Sequence, residues 1–134
     1  MLSINRGMMR PMLTKVDFLE LVKTNADFMN FRYFDSQLQF SIELHRRVSI
    51  SWYAKFISAT GVILYNPIML GAKLLEIEEI TTHELIHVAQ LAFGERIGHG
   101  PSFRKIAVRH GIPVESSQSC ASFNVRPIRE MRPK

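Results

Sequence analysis

The apolar positions change period twice along the chain, from helical to alternating and back to helical. Val16, Phe18, Leu21, Val22, Phe28 and Met29, with Asn25 in the same register, fall on one side of a helix predicted over residues 15–29. Thr14 followed by Asp17 supplies its capping-box start. Leu38, Phe40, Ile42 and Leu44 then alternate with polar neighbours, as do Val48, Ile50, Trp52, Ala54 and Phe56. Both stretches predict half-buried strands, with Arg46-Arg47 at a turn that could join them. Thr60-Gly61 breaks the alternation, and VILY at 62–65 predicts a third short strand ended by Asn66-Pro67.

A helical period returns at Glu76 and holds to Phe93, with Gly94 as its stop. Glu76, Glu78 and Glu79 stand in its first turn, where carboxylates complement the helix dipole. A last helix is expected over 101–110, with Pro101 in its first turn, Gly111 at its exit, and Phe103, Ile106 and Ala107 on its buried face. The first dozen residues, carrying four methionines, are expected to form a loose end, and the segment RPIREMRPK an extended basic tail.

Composition narrows the classes. The 134 residues suffice for one domain with a real core, and 46% hydrophobic with 22% charged residues is ordinary globular composition. No apolar run approaches the roughly 20 residues a membrane-crossing helix needs, and the N-terminal stretch has no continuous apolar region of the secretory type. Cys120 is the only cysteine, which forbids an internal disulfide and a cysteine-based zinc ribbon and fits a reducing, cytoplasmic setting. The net charge of +5 and pI near 9.7 favour a polyanionic partner such as nucleic acid, though charge alone does not establish one.

The chemistry concentrates in TTHELIHVAQ, residues 81–90. On a helix, His83 and His87 lie one turn apart on the same face and can bind one ion, with Glu84 beside them to reach a water on the metal. That is the H-E-x-x-H arrangement: two neutral imidazoles for Zn²⁺ and a carboxylate for the proton of the water. A catalytic zinc site needs a third protein ligand. Phe93 stands where a metzincin would carry histidine, which excludes that subclass. Glu95, close to the helix end, and Glu115, after Pro113, are acidic alternatives. His99 is the better candidate, because Gly98 and Gly100 flank it and allow the chain to return over the metal. For stabilising an oxyanion, Tyr53, Tyr65, Arg104 and His110 are the available helpers. His110 itself reads first as a helix C-cap, His45 as a strand-end residue and Cys120 as a packed thiol.

HELIHVAQ followed by GHGPSFRKIA resembles the SprT-like metalloprotease family, which includes the Spartan DNA–protein crosslink proteases. The shared pattern is H-E-x-x-H, a short return, and G-H-G-x-x-F opening a helix; ISATGVILYNPIML resembles the segment that precedes it. The resemblance implies a zincin-like α+β domain with an N-terminal helix, a small three-stranded sheet, the active-site helix and a following C-terminal helix. It implies Zn²⁺ on His83, His87 and His99, Glu84 as general base, and protein substrates, notably ones attached to DNA. The expected division is a flexible end over 1–13, the SprT-like domain over 14–115 and a basic tail over 116–134. Many relatives carry a four-cysteine ribbon or other DNA-binding module after the protease domain, whereas this sequence has a short basic tail there, with Arg126, Arg129, Arg132 and Lys134. Two other readings stay open: a zinc peptidase with no DNA role, and a DNA-binding or scaffolding protein whose zinc is structural.

Overall fold

The structure is a computed structural model and describes residues 13–113. The expected loose N-terminal dozen and the basic tail lie outside the described residues, as do Glu115 and Cys120. Helix α1 (Lys15–Phe34) leads to strand β1 (Ser41–Leu44), then β2 (Ala54–Ile57) and β3 (Val62–Tyr65). A 3-10 turn over Pro67–Gly71 connects to helix α2 (Leu74–Ala92), and helix α3 (Pro101–Arg109) follows. Among the described residues the fold is α+β, as expected, with three helices and a three-stranded sheet.

Helix α1 begins where the sequence predicts, with the Thr14 hydroxyl accepting the Asp17 N–H at 3.1 Å. It runs past the expected end, and its buried stripe is Phe18, Val22, Ala26, Asn30 and Phe34. Val16 and Phe28, assigned to the buried face from the sequence, are 67% and 52% exposed. The extra turn is held by Asn30, whose side chain donates to the Leu38 carbonyl and accepts the Leu38 N–H, at 2.9 and 3.2 Å. Such a clamp satisfies the amide and the returning chain together, so Asn30 is worth burying. Asp35 and Ser36, with φ of 52° and 60°, turn the chain out of the helix.

The sheet order is β1-β3-β2, with β1 parallel and β2 antiparallel to β3. The first two strands therefore do not pair across Arg46-Arg47, because β3 lies between them. The second predicted strand also shortens. Val48 and Ile50 are exposed at 58% and 59%, and the chain from Ser49 to Trp52 wraps the buried Asn66 instead. The Asn66 amide donates to the carbonyls of Ser49 and Trp52, both at 2.6 Å, while its oxygen accepts the N–H of Ser49 at 3.1 Å and of Ile68 at 3.3 Å. Backbone groups spent on one side chain are lost to a strand ladder, which is why the alternating pattern at 48–52 stays irregular.

Helix α2 is the core of the molecule. It starts two residues before the expected point, at Leu74, where the Glu76 carboxylate accepts the Lys73 N–H at 2.9 Å. Every residue from Ile80 to Gln90 is buried, so this helix is covered on all sides, by α1, α3 and β2. Tyr65 of β3 is fully buried and pairs its hydroxyl with that of Thr81 at 2.6 Å. Gly94 ends the helix with φ of 72°, and the flanking bonds Gly94 N–H to Leu91 O and Glu95 N–H to Gln90 O complete a Schellman motif. Helix α3 docks through Phe103, Ile106 and Ala107, the face read from the sequence. No helix of the described residues is long and apolar enough to cross a membrane.

Candidate metal centre

The helical repeat sets His83 and His87 on one face of α2, where both are buried, at 2% and 8% exposure. Their rings are 4.9 Å apart and meet nearly edge to face. The chain leaves α2 at Gly94, loops through 95–100 and brings His99 back over the pair from the exposed side. The His99 Nε2 lies 3.0 Å from that of His83 and 3.2 Å from that of His87. Of the two flanking glycines, only Gly98, with φ of 159°, uses conformational freedom; Gly100 begins α3 at an ordinary φ of −81°.

Three ring nitrogens pointed at one another make a poor arrangement by themselves, since two imidazoles can share only one proton. They suit a cation. Nitrogens about 2.05 Å from one tetrahedral ion stand roughly 3.3 Å apart, close to the separations here. Burial also keeps the rings in the neutral form that ligation requires. The His87 ring, desolvated and close to His99, is lowered to about 4 despite its bond to Gln90, and burial lowers His99 as well.

Glu84 follows His83 and turns from the imidazole face toward the edge of the sheet, where it accepts a hydrogen bond from the Phe56 backbone. It is fully enclosed, and burial raises its carboxyl to about 8 even though that backbone bond acts the other way. Its Oε1 is buried with no hydrogen-bond partner. An orphaned acceptor on the residue next to His83, in the helix that carries two of the three nitrogens, fits a site built for a cation and its bound water.

Of the other sequence candidates among the described residues, none joins this cluster. Glu95 is exposed on the loop, with its N–H on the Gln90 carbonyl. Tyr53 is buried, Tyr65 is engaged with Thr81, and Arg104 is exposed on α3. His110 caps α3 and donates from Nδ1 to the Tyr33 carbonyl at 3.0 Å, tying α3 to α1. His45 follows β1 and packs its ring edge-on to Trp52.

Two residues were not read as site residues from the sequence. Phe103, assigned only to the buried face of α3, lies 4.9–5.2 Å from all three imidazole rings and walls the cluster with an apolar surface. Gln90, fully buried, bonds His87, Gly98 and Ser102. Its position seven residues after His83, hence on the His83–His87 face of the helix, was the available signal.

An α+β fold whose central helix and return loop converge three histidines beside a buried glutamate fits a zincin-like site. The SprT-like family model matches residues 22–120, and the chain belongs to that family, which marks it as a domain of zinc-metallopeptidase type. Comparison with curated proteins and with solved structures returns no match.

Proposed function

We propose that the protein is a zinc-dependent endopeptidase that hydrolyses peptide bonds in proteins associated with or crosslinked to DNA. The observation that carries this reading is the convergence of the Nε2 atoms of His83, His87 and His99 beside the enclosed carboxylate of Glu84. A purely structural site has no use for a buried glutamate with an unsatisfied oxygen, so Glu84 favours catalysis over scaffolding.

His83, His87 and His99 would hold the ion. Bound zinc lowers the pKa of coordinated water toward ~7 and polarises the scissile carbonyl. Glu84 supplies the proton path: it takes the proton from the attacking water and returns it to the departing amine. Burial raises its carboxyl and a bound cation would act the other way, and the two together suit a group that must both accept and release a proton. Phe103 keeps one side of the imidazoles dry, which strengthens the electrostatic interactions there.

The DNA part of the reading rests on charge. Arg104, Lys105 and Arg109 are exposed on α3, the helix that follows His99, and the sequence adds a basic tail. Such a surface suits phosphates. The cytoplasmic assignment rests on the single cysteine.

The test is to incubate the full chain with a DNA–protein crosslink and with the same substrate protein free of DNA, each with and without chelator. Loss of cleavage on chelation and on omission of DNA supports the full reading. Loss on chelation alone leaves a zinc peptidase with no DNA role, and no cleavage under any condition refutes the peptidase.

A further inference from the structure

The side-chain amide of Gln90 has four polar neighbours and solvent reaches none of it. Its nitrogen donates to the Gly98 carbonyl at 3.0 Å and to the Ser102 hydroxyl at 2.8 Å. Its oxygen accepts the Gly98 N–H at 3.2 Å and faces the Nδ1 of His87 at 2.8 Å. Two donors and two acceptor sites are thus all used.

Gly98 decides which way round the amide sits. A backbone N–H can only donate, so the atom facing it must be the oxygen, and the atom facing the Gly98 carbonyl must be the nitrogen. The same oxygen confronts His87, whose Nδ1 must therefore carry a proton. A neutral imidazole protonated on Nδ1 has a bare Nε2, and the Nε2 of His87 is the atom that points at His99. The amide also holds the chain on either side of His99, at Gly98 in the loop and at Ser102 in the first turn of α3, and Ser102 donates on to the Arg96 carbonyl at 3.2 Å.

We propose that Gln90 is the positioning residue of the metal centre: one amide both presents the Nε2 lone pair of His87 and fastens the loop that delivers His99. The inference rests on the reading of the three histidines as metal ligands. It means that the third ligand is in place before the ion arrives, so binding does not have to order the loop.

Imidazole nitrogen NMR on the metal-free full chain reads the tautomer directly. His87 should show a protonated Nδ1 and a bare Nε2; the opposite tautomer overturns the proposal whatever the metal does. Zinc dissociation constants, measured against a chromophoric chelator, supply the second readout. Gln90→Met keeps the shape and loses every bond, and should weaken zinc binding about 10- to 100-fold with unchanged circular dichroism. Gln90→Glu keeps an acceptor for His87 and for Gly98, and should retain the Nδ1–H tautomer and bind more tightly than Gln90→Met. A Gln90→Met chain that folds and binds zinc as tightly as the unaltered one refutes the proposal. If Gln90→Met does not fold, Gln90→Glu and the tautomer of the unaltered chain still decide. If His99→Ala leaves zinc affinity unchanged, the ligand assignment fails instead, a result distinct from any failure of Gln90.

Discussion

Replacing Glu84 by glutamine should stabilise the metal-free protein while abolishing its activity, and the stabilisation should grow with pH. Burial raises the Glu84 carboxyl from an ordinary 4.5 to about 8, so in the folded state it keeps its proton where the unfolded chain has lost it. Between those values the folded state binds more protons, and stability falls as pH rises. From the two pKa values, the cost is about 1 kcal/mol at pH 5 and about 4 kcal/mol at pH 8, a difference of about 3 kcal/mol. Glu84→Gln has the same shape and cannot ionise, so that difference disappears. Comparing the two chains at each pH cancels the titration of the histidines, and reading only the change between pH 5 and pH 8 cancels the constant cost of burying an amide. The assay is urea unfolding of both chains in chelator, followed by circular dichroism. A stability difference that stays flat from pH 5 to pH 8 would mean that the Glu84 carboxyl is not raised by burial. Saturating zinc should shrink the pH dependence, because a nearby cation favours the ionised carboxylate. A group that costs this much in the metal-free fold contributes nothing to stability there.

Other substitutions test separate links. His99→Ala should remove most of the bound zinc, read by metal analysis after dialysis, whereas full retention would move the third ligand elsewhere. Burial holds His87 near 4, below its ordinary 6.5, so in metal-free Glu84→Gln the unfolded chain takes up protons first on acidification. Stability of that variant should be complete above about pH 6.5 and fall toward pH 4, and urea midpoints that do not move over that range would contradict it. Asn66→Ala strips the partners from Ser49, Trp52 and Ile68 and should cost about 3 kcal/mol in urea unfolding; a loss below about 1 kcal/mol would mean the loop does not depend on it. Gly94→Ala meets no neighbouring atom but must adopt φ of 72°, so thermal unfolding should report a loss of about 1 kcal/mol, and no loss would show that the turn relaxes.

The parts of the fold legible in the sequence are those set by local rules. Four-residue spacing puts His83 and His87 on one helical face regardless of tertiary context, and the glycines at 94 and 111 mark helix ends because their φ angles exclude most other residues. What escaped depends on long-range partners. The alternation at 48–52 reads as a strand until Asn66, fourteen to seventeen residues on, takes its backbone groups. The stripe of α1 shifts to Asn30 because Leu38 comes back to meet it, which no helical period encodes. Gln90 and Phe103 look like an ordinary polar residue and an ordinary core residue, and acquire their roles only when the loop carrying His99 folds onto α2.

On the proposed reading, one cation on three imidazoles, served by one buried carboxylate, makes this chain a peptidase. Titrating zinc into the metal-free protein while following cleavage of a polypeptide substrate tests it most directly. Cleavage should rise with added zinc and level off at one equivalent. Cleavage that is undiminished before any zinc is added, or that never appears at full loading, would contradict it.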